Sequence, residues 1–96
     1  MRWVWNAEKN VVNKRKHRLS FETAMLVFND PQLRSRPDQH PDEERWQTIG
    51  VISGIVVFVV HTAPELDAVT GEEIGRIISA RKATAHERRA YEEDDF

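Results

Sequence analysis

The run Ile55-Val56-Val57-Phe58-Val59-Val60 follows directly on Ser53-Gly54 and shows no polar alternation. A strand apolar on both sides must be covered on both sides, so this segment, continued to Thr62, is expected at the centre of a sheet with helices on one face. Arg45 to Val51 reads as its hairpin partner, joined through a tight turn at Ser53-Gly54. The whole apolar stretch from Ile49 to Val60 is interrupted by Gly50 and Ser53-Gly54. It is also shorter than the ~20 residues a spanning helix needs, so no membrane role is expected.

Other elements fall around this strand. Arg2 to Trp5 alternates and reads as a short first strand. Asn6 is placed to cap a helix carrying Val11 and Val12, and Ser20 to cap a second with Phe21, Ala24, Met25 and Phe28 at helical spacing. Asn29-Asp30-Pro31 stops it. Residues 30–44 read as a long loop, mobile or functional, and Pro64 to Glu72 as another. Glu73 to Ala80 is the last strand. Thr84 and Glu87 form a capping box that opens a helix to about Glu93. The expected order is β-α-α-β-β-β-α, an α+β domain with a small, mostly antiparallel sheet. Residues 1–96 read as one domain with an acidic tail at about 92–96, without repeats or linkers.

The 96 residues contain no cysteine, which rules out disulfides and thiolate zinc sites. The opening Met1-Arg2-Trp3-Val4-Trp5-Asn6 does not read as a signal peptide, and a cytoplasmic protein is expected. The formal net charge is −2, and removing the carboxylates of Glu92-Glu93-Asp94-Asp95 would turn it into +2. A polyanion would therefore be met by a local patch such as Lys14-Arg15-Lys16-His17-Arg18, not by the field of the whole molecule.

Trp5, Lys9, Asn13, Lys16-His17, Ser20-Phe21 and Ala24 form the pattern W-x3-K-x3-N-x2-K-H-x2-S-F-x2-A. Phe28 with Asp30-Pro31, Glu44-Arg45, Ile49-Gly50, Thr62, Arg76-Ile77-Ile78-Ser79-Ala80-Arg81, Ala83, Glu87-Arg88 and Tyr91 follow. From Trp5 to Tyr91 the chain resembles the BrnT toxins of bacterial type II toxin–antitoxin systems. The resemblance implies a RelE-like fold and an endoribonuclease that arrests growth. It also implies neutralisation by a BrnA-type antitoxin with a ribbon-helix-helix domain, so that operator DNA is met only through the antitoxin. Arg18 stands where the family usually has glycine, and His61 where a tyrosine is common.

RelE-like ribonucleases are associated with a metal-free route, which needs a proton acceptor, a proton donor and fixed positive charge but no cofactor. Arg81, at a strand end ahead of a helix start, and Arg76 are candidates to hold phosphate. Strand parity would point them to opposite faces unless the strand ends or bulges between them. His61 has the pKa range for proton transfer, and equally suits a satisfied core histidine. Glu44 is a candidate base and Arg45 a phosphate ligand, or the two form an exposed charged pair. Lys14, Lys16, His17 and Arg18 are candidate RNA contacts, or a solvated helix end. Trp3, Trp5 and Trp46 offer base-stacking surfaces, although a core role is expected for at least two. His40 and His86 read as surface residues, and no trusted metal-ligand spacing appears. The competing reading is a non-catalytic RelE-fold module that binds an antitoxin as co-repressor or blocks a protein target.

Overall fold

The computed structural model describes all residues, Met1–Phe96. Its elements are β1 (Arg2–Val4), α1 (Ala7–His17), α2 (Phe21–Ala24), a 3₁₀ turn (Met25–Asn29), β2 (Arg34–Asp38), β3 (Arg45–Ile52), β4 (Ile55–Thr62), β5 (Glu65–Leu66), β6 (Glu73–Lys82) and α3 (Ala85–Glu92). The strands form one mixed sheet in the order β1-β6-β4-β3-β2, with β5 paired to β6. Only β1–β6 is parallel. The fold is α+β, and β4 is the central strand, as its unbroken apolar run requires. No helix is long and apolar enough to cross a membrane.

Two strands lie in segments that read as loops. Arg34–Asp38 pairs along β3 from Ile49 to Arg45 and forms a sheet edge. Its charges and Pro37 hide it from an apolar-pattern reading, yet they are the devices that keep an edge strand from pairing with other chains. β5 is only two residues long and borrows its order from β6. The second helix is shorter than its apolar spacing suggests, with its last turn tightened to 3₁₀ before Asp30.

Sequence-coded caps set the helix starts. Asn6 accepts from the Lys9 N–H at 3.0 Å and Ser20 from the Thr23 N–H at 3.1 Å. At Thr84 and Glu87 the reciprocal pair is complete. Helix α1 ends on Arg18 in the left-handed region, φ 58° and ψ 30°, and its N–H donates to Lys14 O. A residue with a Cβ is strained there by ~1 kcal/mol. Arg18→Gly is therefore expected to raise the melting temperature by about 2–8 °C, measured by thermal unfolding. An unchanged or lower value would mean that the arginine side chain offsets the strain.

The main core lies between the N-terminal helical layer, α1, α2 and the 3₁₀ turn, and one face of the sheet. Phe21, Ala24 and Val27 from the helical layer meet Val57, Val59, Ile77 and Ala80 from β4 and β6, flanked by Trp3, Trp5, Leu19, Phe28 and Ile52. Trp3 stacks on Phe28 at 4.0 Å, Trp5 meets the edge of Phe21 at 6.2 Å, and Trp3 lies so close over Gly75 that no Cβ fits there. Both N-terminal tryptophans are partly buried and pack against the core. Asn13, 7% exposed, completes the packing with hydrogen bonds. Its amide donates to Ala80 O at 2.8 Å and Leu19 O at 2.9 Å, and accepts from Ala80 N–H at 3.2 Å. A side chain thus replaces a neighbouring strand where β6 runs past β1.

Candidate functional site

A bulge in β6 decides where the arginines point. Val60 pairs with Ser79, but the next residue, His61, pairs with Ile77, so Ile78 is an extra residue. The bulge resets the alternation, and Arg76 and Arg81 leave the same face of the sheet, the one away from α1. Cross-strand registers carry the pattern outward. Arg34, Ile49, Phe58 and Arg81 form one row across this face; Arg36, Gln47, Val60 and Ser79 form the next. Arg45 sits beside Thr62, whose Oγ accepts the Arg76 N–H at 2.9 Å. One face thus carries Arg34, Arg36, Arg45, Arg76 and Arg81.

The arginines do not share one cluster. Arg81 and Arg76 lie about 13 Å apart along the strand direction, at ~3.3 Å per residue over four positions of β4. Each has its own carboxylate. Arg76 Nη2 contacts both Glu43 oxygens, at 2.9 and 3.2 Å, and Arg45 Nε reaches the same carboxylate at 2.8 Å. Arg76 and Glu43 edge a cleft of about 350 Å³ lined by Val4, Glu44, Thr62 and Glu65 among others, with Arg45 behind Glu43. The Arg45 guanidinium, followed by Arg76, holds the Glu43 carboxyl below the usual carboxylate range.

Glu43 was not among the residues singled out in the sequence, where Glu44 stood for the pair. The signal was present: Glu43 lies two residues before Arg45, so a strand extended backwards places both on one face. Glu44 belongs to the alternate set and accepts from Trp46 Nε1 at 3.3 Å. It is exposed and also lines the cleft.

Arg81 is held more tightly. Glu87 receives Nη1 at 2.7 Å and Nη2 at 3.0 Å, and the guanidinium lies 4.2 Å from the Phe58 ring centre. The same carboxylate also caps α3. The Arg81 guanidinium holds the Glu87 carboxyl at about 2, against an ordinary 4.5. A carboxyl depressed in the folded state stabilises above its unfolded pKa, and that contribution is lost as pH falls through the folded value. Discounted for the partial exposure of Arg81, the pair contributes about 2 kcal/mol at neutral pH. Wild type and Glu87→Gln should therefore differ most in urea unfolding near pH 7 and converge between about pH 4.5 and 2. Curves that stay parallel over that range would show that the pair carries no such stability.

His61 lies on the opposite, core-facing side of the sheet, 6% exposed, with its ring edge-on to Trp3 and Phe28 at 5.0 Å each. Nδ1 faces Thr62 O at 2.9 Å and must donate. Nε2 therefore accepts from Thr48 Oγ1 at 2.6 Å. Burial pushes its pKa below 6.5, leaving the ring neutral at pH 7. The structure does not bring His61 into the arginine cleft; it holds the carbonyl of Thr62, whose hydroxyl faces Arg76. Lys14, Lys16, His17 and Arg18 stand at the far end of the molecule. His17 and Arg18 border an apolar hollow with Ile52, Ile55, Val57 and Lys82. No group of three His, Asp or Glu side chains comes together in a way that would hold a metal ion.

The face offers guanidinium groups, carboxylates beside them and an open cleft, a set suited to a phosphodiester. A comparison with curated proteins returns no match. The family model for "Ribonuclease toxin, BrnT, of type II toxin-antitoxin system" matches residues 5–87, which include the whole arginine face. The chain belongs to this BrnT family of ribonuclease toxins, whose members imply an RNA substrate and an antitoxin partner.

Proposed function

We propose that the chain is a metal-independent endoribonuclease of RelE-like fold that arrests growth in the cytoplasm by cutting RNA on its arginine face. The observation that carries this reading is the convergence of Arg45 and Arg76 on one carboxylate at the mouth of an open cleft. A phosphate fits the same guanidinium forks in place of Glu43. With Arg45 and Arg76 on its oxygens, Glu44 takes the proton of the ribose 2′-OH. The 2′ oxygen then attacks the adjacent phosphorus, the P–O5′ bond breaks, and the departing oxygen takes a proton from water. The products are a 2′,3′-cyclic phosphate and a 5′-hydroxyl. Arg81 extends the same face and steadies the following helix, while Lys14, Lys16, His17 and Arg18 meet more distant parts of the strand. His61 positions Thr62. The partner in this reading is a BrnA-type antitoxin with a ribbon-helix-helix domain, through which alone the complex meets operator DNA.

The test is cleavage of an end-labelled RNA by the chain freed from any partner, with EDTA present. Cyclic phosphate ends are expected, and Glu44→Gln should slow cutting by about a hundredfold. A folded sample that binds its antitoxin but never cuts would replace this reading with the non-catalytic module.

A further inference from the structure

The C-terminal segment lies on the arginine face, beyond the residues the family shares. The family match ends at residue 87, whereas Asp94 and Phe96 reach back across α3 onto β2 and β4. Asp94 pairs with Arg34 Nε. The Phe96 ring lies 4.0 Å from the Arg36 guanidinium carbon and meets Phe58 edge-on at 6.3 Å. Phe58 in turn carries the Arg81 guanidinium on its ring. An aromatic ring on an arginine plane beside a carboxylate in an arginine fork has the chemistry of a nucleotide, a base stacked and its phosphate paired. A hollow of about 330 Å³ continues the seat beneath α3, its wall holding Arg36, Arg89, His86 and Phe96 together with the carboxylates of Glu87, Glu93 and Asp95.

We infer that Arg34, Arg36 and Phe58 form a nucleotide seat for single-stranded RNA, and that Asp94 and Phe96 of the same chain occupy it until RNA displaces them. This rests on the reading of the arginine face as the RNA surface. It accounts for a formal charge of −2 on a chain whose substrate is a polyanion. Asp94 and Asp95, two of the sixteen Asp and Glu residues, move with the segment that leaves when substrate arrives. Because the tail must leave, apparent affinity falls by the fraction of molecules in which it is docked.

The experiment is equilibrium binding of a fluorescent single-stranded oligonucleotide with 2′-O-methyl riboses, which cannot be cut, to the full chain at low salt. Phe96→Ala should bind about five- to tenfold more tightly than wild type, and Asp94→Asn should shift in the same direction by less. Arg36→Ala combined with Phe96→Ala should lose the gain, since the exposed stacking plane is gone. Melting curves accompany each variant, and both single variants are expected to remain folded. Wild type that binds while Phe96→Ala and Asp94→Asn bind no better would overturn the seat and leave the ribonuclease reading standing. No binding by any variant would overturn both.

Discussion

Arg76→Ala is expected to lower RNA cleavage by about a hundred- to a thousandfold, the usual loss when one preorganised charge is removed from a transition state. Expression of the variant should no longer arrest growth. The melting temperature should stay close to wild type, because the side chain is half exposed and an exposed ion pair contributes little to stability. That separation makes Arg76 the sharper probe of the site. Arg81→Ala would also strip Glu87, only 13% exposed, of its partner and loosen the start of α3. Lost activity there would mix chemistry with folding. Purified Arg76→Ala that cuts RNA at the wild-type rate would move the chemistry away from the Glu43 cleft.

Asp30→Ala is expected to be the most destabilising of the changes considered. Asp30 is 8% exposed and accepts from the Val51 N–H at 2.8 Å, the Gln32 N–H at 2.9 Å and the Tyr91 hydroxyl at 2.6 Å. Burial would raise its pKa, but these donors, Tyr91 first, more than offset that and hold the carboxyl ionised below its usual range. The tyrosine is pushed up to about 12 by its own burial and by the carboxylate it faces. One side chain thus ties the end of the helical layer, β3 and α3 together. Its removal strands several donors at a cost of ~3 kcal/mol, which corresponds to a fall of about 12–24 °C in melting temperature. Asp30→Asn keeps an acceptor oxygen and should cost much less. Equal losses for the two in thermal unfolding would show that charge, rather than hydrogen-bond geometry, holds the junction.

What could be read from the sequence follows the range of the forces involved. Ile55–Val60 announced the central strand because burial on both faces leaves a local mark. Asn6, Ser20 and Thr84 announced helix starts because a cap acts within three residues. β2 left no such mark. Its order comes from pairing to β3 and from side-chain bonds such as Ser35 Oγ to Thr48 Oγ1 at 2.6 Å. The state of His61 depends on Thr48, a diagonal neighbour brought within reach only by the hairpin register. The question whether Arg76 and Arg81 share a face could be posed from parity alone. Its answer lay in a bulge that no local residue preference reveals.

That bulge gives β6 two phases on one backbone. From Ser79 onward the strand is locked to the core by the bonds of Asn13 to Ala80. Before Ile78, alternation is set by β1 and the close approach of Trp3 to Gly75. Were Ile78 instead drawn into regular pairing opposite His61, one half would stay in phase and the other would invert, turning Arg76 toward the tryptophan core and Ile77 toward water. The strand therefore has a place where a single-residue slip in register, rather than a change in chemistry, can disconnect the cleft from the fold that carries it.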